Sequence, residues 1–190
     1  MSDISVVFQN NLTKEITMVN KVAWITGAGS GIGEASAIKL ASEGFAVVLS
    51  GRTKETLDMV ASKCEGQVSV KPLDVSNYED VKVVFEDIIS DYGRVDVLVA
   101  SAGLNAKNRN WHNVSEKDFD QIIKIDLNGV FYTNRLVLET MKEQREGLII
   151  NVSSWAGKHV TTLTGPAYTA AKHGVNALTE GINMEAGHFG

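Results

Sequence analysis

The sequence predicts an α/β fold, a doubly wound parallel sheet with helices on both faces. Three observations lead there. Apolar runs at 22–26, 45–50, 68–73, 95–100 and 148–152 alternate with longer stretches of helical periodicity. A strand-then-helix order, repeated, favours parallel pairing with helical crossovers. A glycine-rich segment, residues 27–33, stands between the first run and the first helical stretch.

Bulk properties narrow the classes. A chain of 190 residues has room for one domain with a sizeable core. Apolar residues make up 44% and charged residues 22%, as in soluble globular proteins. The net charge of -5 gives no basis for a nucleic-acid partner. Cys64 is the single cysteine, so no internal disulfide forms and a reducing, cytoplasmic location is expected. No apolar run of 18 residues exists to span a membrane, and the N-terminus lacks the pattern of a signal peptide.

Residues 1–18 are weakly patterned and read as an extension ahead of one domain over 19–190. Val22-Ala23-Trp24-Ile25-Thr26 is the first strand, with Trp24 in the core. Thr26-Gly27-Ala28-Gly29-Ser30-Gly31-Ile32-Gly33 follows. A helix comes next, with Ile32, Ala35, Ala37, Ile38, Leu40 and Ala41 on or near one apolar face. A strand, a glycine-rich turn and a helix N-terminus together make a diphosphate site. Glycines let the backbone approach, and free N–H groups with the helix dipole favour the anion. The spacing is not the common G-x-G-x-x-G, and no Gly-Lys-Ser/Thr follows to make a P-loop. A tight turn without a ligand is the alternative.

The second strand, residues 45–50, leads into Gly51-Arg52-Thr53. In a dinucleotide fold this strand end faces the adenosine ribose. An acid there binds the 2′-hydroxyl of NAD, and an arginine accommodates the 2′-phosphate of NADP. Arg52 and the lack of an acid therefore favour NADP(H), with NAD(H) as the second option. The alternative is a solvent-facing arginine at a helix start. Thr53 is placed as the cap of a helix to about residue 63. The third strand ends at Asp74-Val75, and Asn77 or Ser76 caps a helix to about residue 92. The fourth strand closes on Ser101-Ala102-Gly103, small residues that let a flat group pass close to the backbone. Asp96 reads as a structural turn residue. Ser115 caps a helix with Phe119, Ile122 and Ile123 on its buried side. A long helix over about 126–145 ends at Gly147, and Leu148-Ile149-Ile150-Asn151-Val152 reads as a buried strand.

The last stretch carries the chemistry. Ser154 stands just past that strand, where ligands of open α/β sheets bind. Tyr168 and Lys172 are four apart and share one helix face. A free tyrosine titrates near pH ~10, and a nearby ammonium favours its phenolate, which suits proton transfer at neutral pH. Ser154 can donate to a substrate carbonyl and hold it in place. The same Tyr–Lys pair is compatible with a plain surface helix. His112, His159, His173 and His188 show no metal spacing, so no metal is expected.

In order, these motifs resemble the short-chain dehydrogenase/reductase family over residues 20–190, in its shorter-chain, 3-oxoacyl reductase-like branch. They are the glycine-rich segment, Asp74-Val75, Ser101-Ala102-Gly103, Asn151-Val152-Ser153-Ser154, and Tyr168-Thr169-Ala170-Ala171-Lys172. The resemblance implies a Rossmann-like fold and a set of roles. Tyr168 is the general acid-base and Ser154, rather than Ser153, positions the carbonyl. Lys172 holds the nicotinamide ribose and lowers the Tyr168 pKa. Gly27, Ser30, Gly31, Ile32 and Gly33 surround the diphosphate, and Asp74 and Val75 contact the adenine. The cofactor set also takes in Arg52, Ser101, Ala102 and Gly103. Helices over about 127–145 and 168–186 resemble those that pair subunits, which implies a homodimer or homotetramer.

Three departures accompany the resemblance. Ser101 stands for the family's Asn. Asp126, before Leu127-Asn128-Gly129-Val130-Phe131, stands for the family's fourth catalytic residue, an Asn whose backbone carbonyl helps hold a water. Family members also continue past the equivalent of residue 190, with two more strands and a loop over the substrate, so a C-terminally truncated form lacking the last strands of the family fold is expected. The leading expectation is an NADP(H)-dependent oxidoreductase that interconverts a secondary alcohol and a ketone, or acts on an acyl thioester. The alternative is a nucleotide-binding or partner-binding remnant without catalysis. A sugar-nucleotide epimerase is disfavoured by the glycine spacing.

Overall fold

A computed structural model describes residues 21–189; the extension expected over 1–18 lies outside the described residues. Five strands carry the sheet: β1 (Val22–Thr26), β2 (Ala46–Ser50), β3 (Val68–Val70), β4 (Val97–Ala100) and β5 (Leu148–Asn151). They lie in the order β3-β2-β1-β4-β5, and every pairing is parallel. The helices are α1 (Gly31–Ser42), α2 (Lys54–Ala61), α3 (Tyr78–Tyr92), α4 (Glu116–Ile123), α5 (Gly129–Gln144) and α6 (Pro166–Ala186). A π-helical turn, Lys124–Asn128, joins α4 to α5. A short 3-10 turn, Trp155–Gly157, follows β5.

Every residue of β1, β2 and β4 is buried, because helices cover both faces of the sheet. Successive side chains point to opposite faces and feed two cores. Trp24, Val48, Val81, Ile88, Leu98 and Val137 fill one. Ile25, Val47, Leu49, Ala37, Leu57 and Val99 fill the other. Trp24 lies fully in the core, and its indole N–H donates to Ser50 Oγ at 3.0 Å. The strand order reverses between β1 and β4, which places a ligand crevice beyond their carboxyl ends.

Caps follow the expected chemistry in two of three cases. Asn77 Oδ1 accepts from Glu79 N–H at 3.1 Å, and Ser115 Oγ accepts from Asp118 N–H at 3.0 Å. Thr53 occupies the N-cap of α2, but its side chain makes no capping bond. Four other expectations are corrected. β5 is not a buried strand: Leu148 is 54% and Ile150 42% exposed, since among the described residues β5 pairs with β4 alone and one of its faces is open. Ile32 is 60% exposed and Ala35 is exposed; α1 buries Gly33, Ala37 and Ala41 instead, a small-residue stripe that packs close to the sheet. Phe119 lies on the exposed side of α4 while Ile122 is buried. The long helix begins at Gly129 after the π turn, and Arg145, in the left-handed region at φ 55°, ends it. Gly147 sits against Met141, which leaves no room for a Cβ.

Asp96 locks the sheet's lower end. Its carboxylate accepts from Val22 N–H at 2.7 Å and from Arg94 at 2.5 and 2.9 Å. Burial pushes the Asp96 carboxyl up, but Arg94, the Val22 N–H and Lys21 together hold it below the usual range. Its folded value is thus below the unfolded one of about 3.9. The stability it contributes is complete above that value and is lost as the pH falls through the folded one. Asp96→Asn is expected to cost about 2 kcal/mol near neutral pH. Thermal unfolding against pH checks this: the variant should lose less stability than the parent on acidification below about pH 4. Parallel losses would refute it.

Candidate active site

The crevice over β1 and β4 is built from turns that need close backbone approach. Gly27 has φ +64°, and a Cβ on it would fall 2.8 Å from Ala102 Cα. Glycine is therefore what lets the β1 turn lie against the loop after β4. Gly31 opens α1 at φ +57°, and the first turn of that helix presents free N–H groups with the positive end of its dipole. An open cleft of about 290 Å³ lies here. Of the residues expected to hold a cofactor, Gly27, Ser30, Arg52, Asp74, Val75, Ala102 and Gly103 line it. Gly31, Ile32 and Gly33 do not line it: they form the first turn of α1, with Gly33 packed beneath the Gly27 carbonyl. Ser101 stands behind the wall, its N–H donating to Val99 O at 3.1 Å. Gly29, Thr53, Leu104 and Ile125 also line the cleft and were not among the residues expected to hold a cofactor. Gly29 was legible within the glycine-rich turn; Leu104 and Ile125 carry no local signal.

Arg52 is exposed and reaches a second, more polar cleft with Lys117, Lys124 and Asp120. Asp74 closes a turn on itself, Oδ1 accepting from Ser76 N–H at 2.9 Å and from Ser76 Oγ at 2.7 Å. These groups fit a dinucleotide: a glycine cradle and helix N-terminus for the diphosphate, and a guanidinium at the end of β2.

Four residues expected at the reacting end come from three elements. Tyr168 and Lys172 lie one turn apart on α6, and Lys172 Nζ is 5.5 Å from the Tyr168 ring centroid. Asp126, in the π turn, approaches Lys172 Nζ to 3.4 Å through Oδ2. Oδ1 accepts from Leu104 N–H at 2.8 Å. Burial pushes the Asp126 carboxyl above the usual range, against the pull of Lys172 and the Leu104 N–H. Ser154 Oγ accepts from Ala156 N–H at 3.1 Å and so caps the 3-10 turn. That turn is pinned to α6 by Ser153 Oγ donating to Lys172 O at 3.3 Å and Asn176 Nδ2 donating to Gly157 O at 2.9 Å. Ser153 thus serves as a tie between the β5 turn and α6. Lys172 Nζ donates to Val152 O at 3.1 Å.

The model of the short chain dehydrogenase family matches residues 21–190. The chain belongs to this family. An oxidoreductase of Staphylococcus aureus strain USA300, uncharacterised, is 38% identical over 176 residues, which span 91% of this chain and 74% of the relative. Levodione reductase superposes with a TM-score of 0.85 at 32% identity, covering 89% of this chain and 67% of the reductase. A metagenomic short-chain oxidoreductase in complex with NADP gives 0.83 at 33% identity, covering 90% and 79%. The chain is thus an oxidoreductase of the short-chain dehydrogenase family with the Rossmann-like sheet of its relatives. Among the described residues no helix is long and apolar enough to cross a membrane.

Proposed function

We propose that this short-chain dehydrogenase uses NADP(H) to interconvert a secondary alcohol and a ketone. The observation that carries the proposal is the single cleft edge on which Gly27, Arg52 and Gly103 stand, beside a Lys172 that also faces Tyr168. When bound, the nicotinamide supplies or takes the hydride. The chain's own groups do the rest. The α1 N-terminus and the β1 turn bind the diphosphate. Arg52 pairs with the 2′-phosphate. Ser154 donates to the carbonyl oxygen and fixes its place. Tyr168 gives its hydroxyl proton to that oxygen in reduction and takes it back in oxidation. Lys172 holds the nicotinamide ribose and keeps a positive charge beside the Tyr168 ring. A small ketone or an acyl thioester is the substrate class, and α5 with α6 pairs copies of the chain, supported by Phe131 and Met184, 42% and 85% exposed.

Fluorescence titration with NADPH and, separately, NADH tests the cofactor half. NADPH is expected to bind more tightly, and Arg52→Ala should weaken NADPH by about 10- to 100-fold, the worth of a hydrogen bond to a charged group. NADH should change little. Tighter NADH binding in the parent would overturn the role of Arg52. A second reading, a nucleotide binder without turnover, draws support from the carboxylate of Asp126 engaging Lys172. Tight NADPH binding with no oxidation across a broad ketone panel would favour it.

A further inference from the structure

The reaction outlined above leaves one buried charge unused, and it lies against the lysine on which that reaction depends. Asp126 is 0% exposed, in the π turn that joins α4 to α5. Its Oδ1 is taken by Leu104 N–H, and Oδ2 makes no hydrogen bond, standing 3.4 Å from Lys172 Nζ. Lys172 is itself 4% exposed and donates to the Val152 carbonyl. Donors therefore face both ends of the Asp126 side chain. A carboxylate offers an acceptor to each, whereas an amide offers one acceptor and turns its N–H₂ on the other donor. Gly103 completes the fit: a Cβ there would begin 3.0 Å from Asp126 Oδ2 and 3.5 Å from Lys172 Nζ. The loop after β4 can close over the pair because it has no side chain at that point.

We propose that Asp126 is a positioning residue for Lys172, its carboxylate fixing the ammonium between β4, β5 and α6 and offsetting the positive charge that Lys172 presents to Tyr168. This rests on Tyr168 being the acid-base group. The surroundings leave the charge arrangement simple. The loop after β4 contributes the backbone of Gly103 and Leu104, and the loop after β5 the Val152 carbonyl. On α6 the facing titratable groups are Lys172 and Tyr168. Lys172 is the charged side chain that acts on Asp126, and burial works against the ionised carboxyl. With Asp126 ionised the pair is nearly neutral as a unit, and Tyr168 then meets a pair where a bare ammonium would otherwise stand.

Removing the carboxylate should expose the full charge of Lys172. Phenolate absorbance is titrated for the parent and for Asp126→Asn, each compared with its Tyr168→Phe counterpart so that the difference belongs to Tyr168. The midpoint in Asp126→Asn is expected at lower pH by roughly one unit, the effect of one charge at this range with an effective dielectric constant of about 20. An unchanged midpoint overturns the proposal. Asp126→Asn leaves an ammonium buried without its counter-charge and risks unfolding. The double variant Asp126→Asn/Lys172→Met removes both charges at similar volume, and its midpoint should stay within about half a unit of the parent. A rise of about one unit or more would mean that Lys172 acts on Tyr168 unscreened, and would also overturn the proposal. The titration needs neither cofactor nor turnover. A midpoint that moves as expected in a protein that reduces no ketone would refute the proposed alcohol–ketone reaction and leave the pairing intact.

Discussion

Tyr168→Phe is expected to lower ketone reduction by roughly a thousandfold or more while NADPH binding stays at the parental level. The substitution removes one oxygen and little else. The ring packs beside the cluster of Ile122, Ala167 and Ala171, and phenylalanine keeps that packing. Lys172 keeps its bonds to the Val152 carbonyl and its approach to Asp126, neither of which involves the phenol. What disappears is the proton that, in the proposed reaction, reaches the carbonyl oxygen as hydride reaches the carbon. Steady-state reduction assayed with NADPH, beside a fluorescence titration of the same preparation, separates the two effects. Retained turnover would remove Tyr168 from its assigned role. Lost cofactor binding would point to a structural part for the hydroxyl.

Gly33→Ala should be among the most damaging single methyl additions to this chain. The new Cβ would clash with the Gly27 carbonyl oxygen and fall 2.8 Å from the Gly27 carbonyl carbon and 3.1 Å from Ala28 Cα. All three are backbone atoms, so no side chain can swing aside. Overpacking of this kind costs about 1–3 kcal/mol, and more where the neighbours are fixed. The displaced turn is the one that lines the cleft, so NADPH affinity should fall with stability, by tenfold or more for each ~1.4 kcal/mol transferred to the loop. Gly31→Asn supplies the contrast. Gly31 also has a positive φ, but a Cβ there meets nothing within 4 Å, and asparagine tolerates the left-handed region. It should cost about 1 kcal/mol. Thermal unfolding and cofactor titration of both variants decide the matter, and a Gly33→Ala protein that melts with the parent would refute the close approach.

These cases mark what could be read from the chain and what could not. Local chemistry was legible. Asn77 and Ser115 cap as their side chains dictate, and Tyr168 and Lys172 share a helix face because four residues make about one turn. The cleft wall was legible where it is made of a contiguous motif, from Gly27 to Ser30 and from Ala102 to Gly103. Burial on one side or two was not. The run 148–152 is as apolar as 95–100, yet β4 has neighbours on both sides and β5 has one among the described residues. Arg145 takes a left-handed conformation without the glycine that usually announces it. The contact between Asp126 and Lys172 joins residues far apart in the chain, and no local pattern announces that the Asp126 carboxylate faces the Lys172 ammonium.

The reversal of strand order between β1 and β4 also has a kinetic side. Ala23 pairs with Val97, and between them the chain must first lay down α1, β2, α2, β3 and α3. β1 and β2, by contrast, are joined through a single helix. The β1–β4 seam closes the longest loop at the centre of the sheet, and pairings of that range are slow to form. The two halves of the sheet are thus natural units of assembly, each built from pairings of shorter range. The cleft straddles this joint, with Gly27 on one side and Ala102 on the other. A ligand seated there acts as a clamp across the seam, and its binding energy is added to the cost of every opening of the two halves.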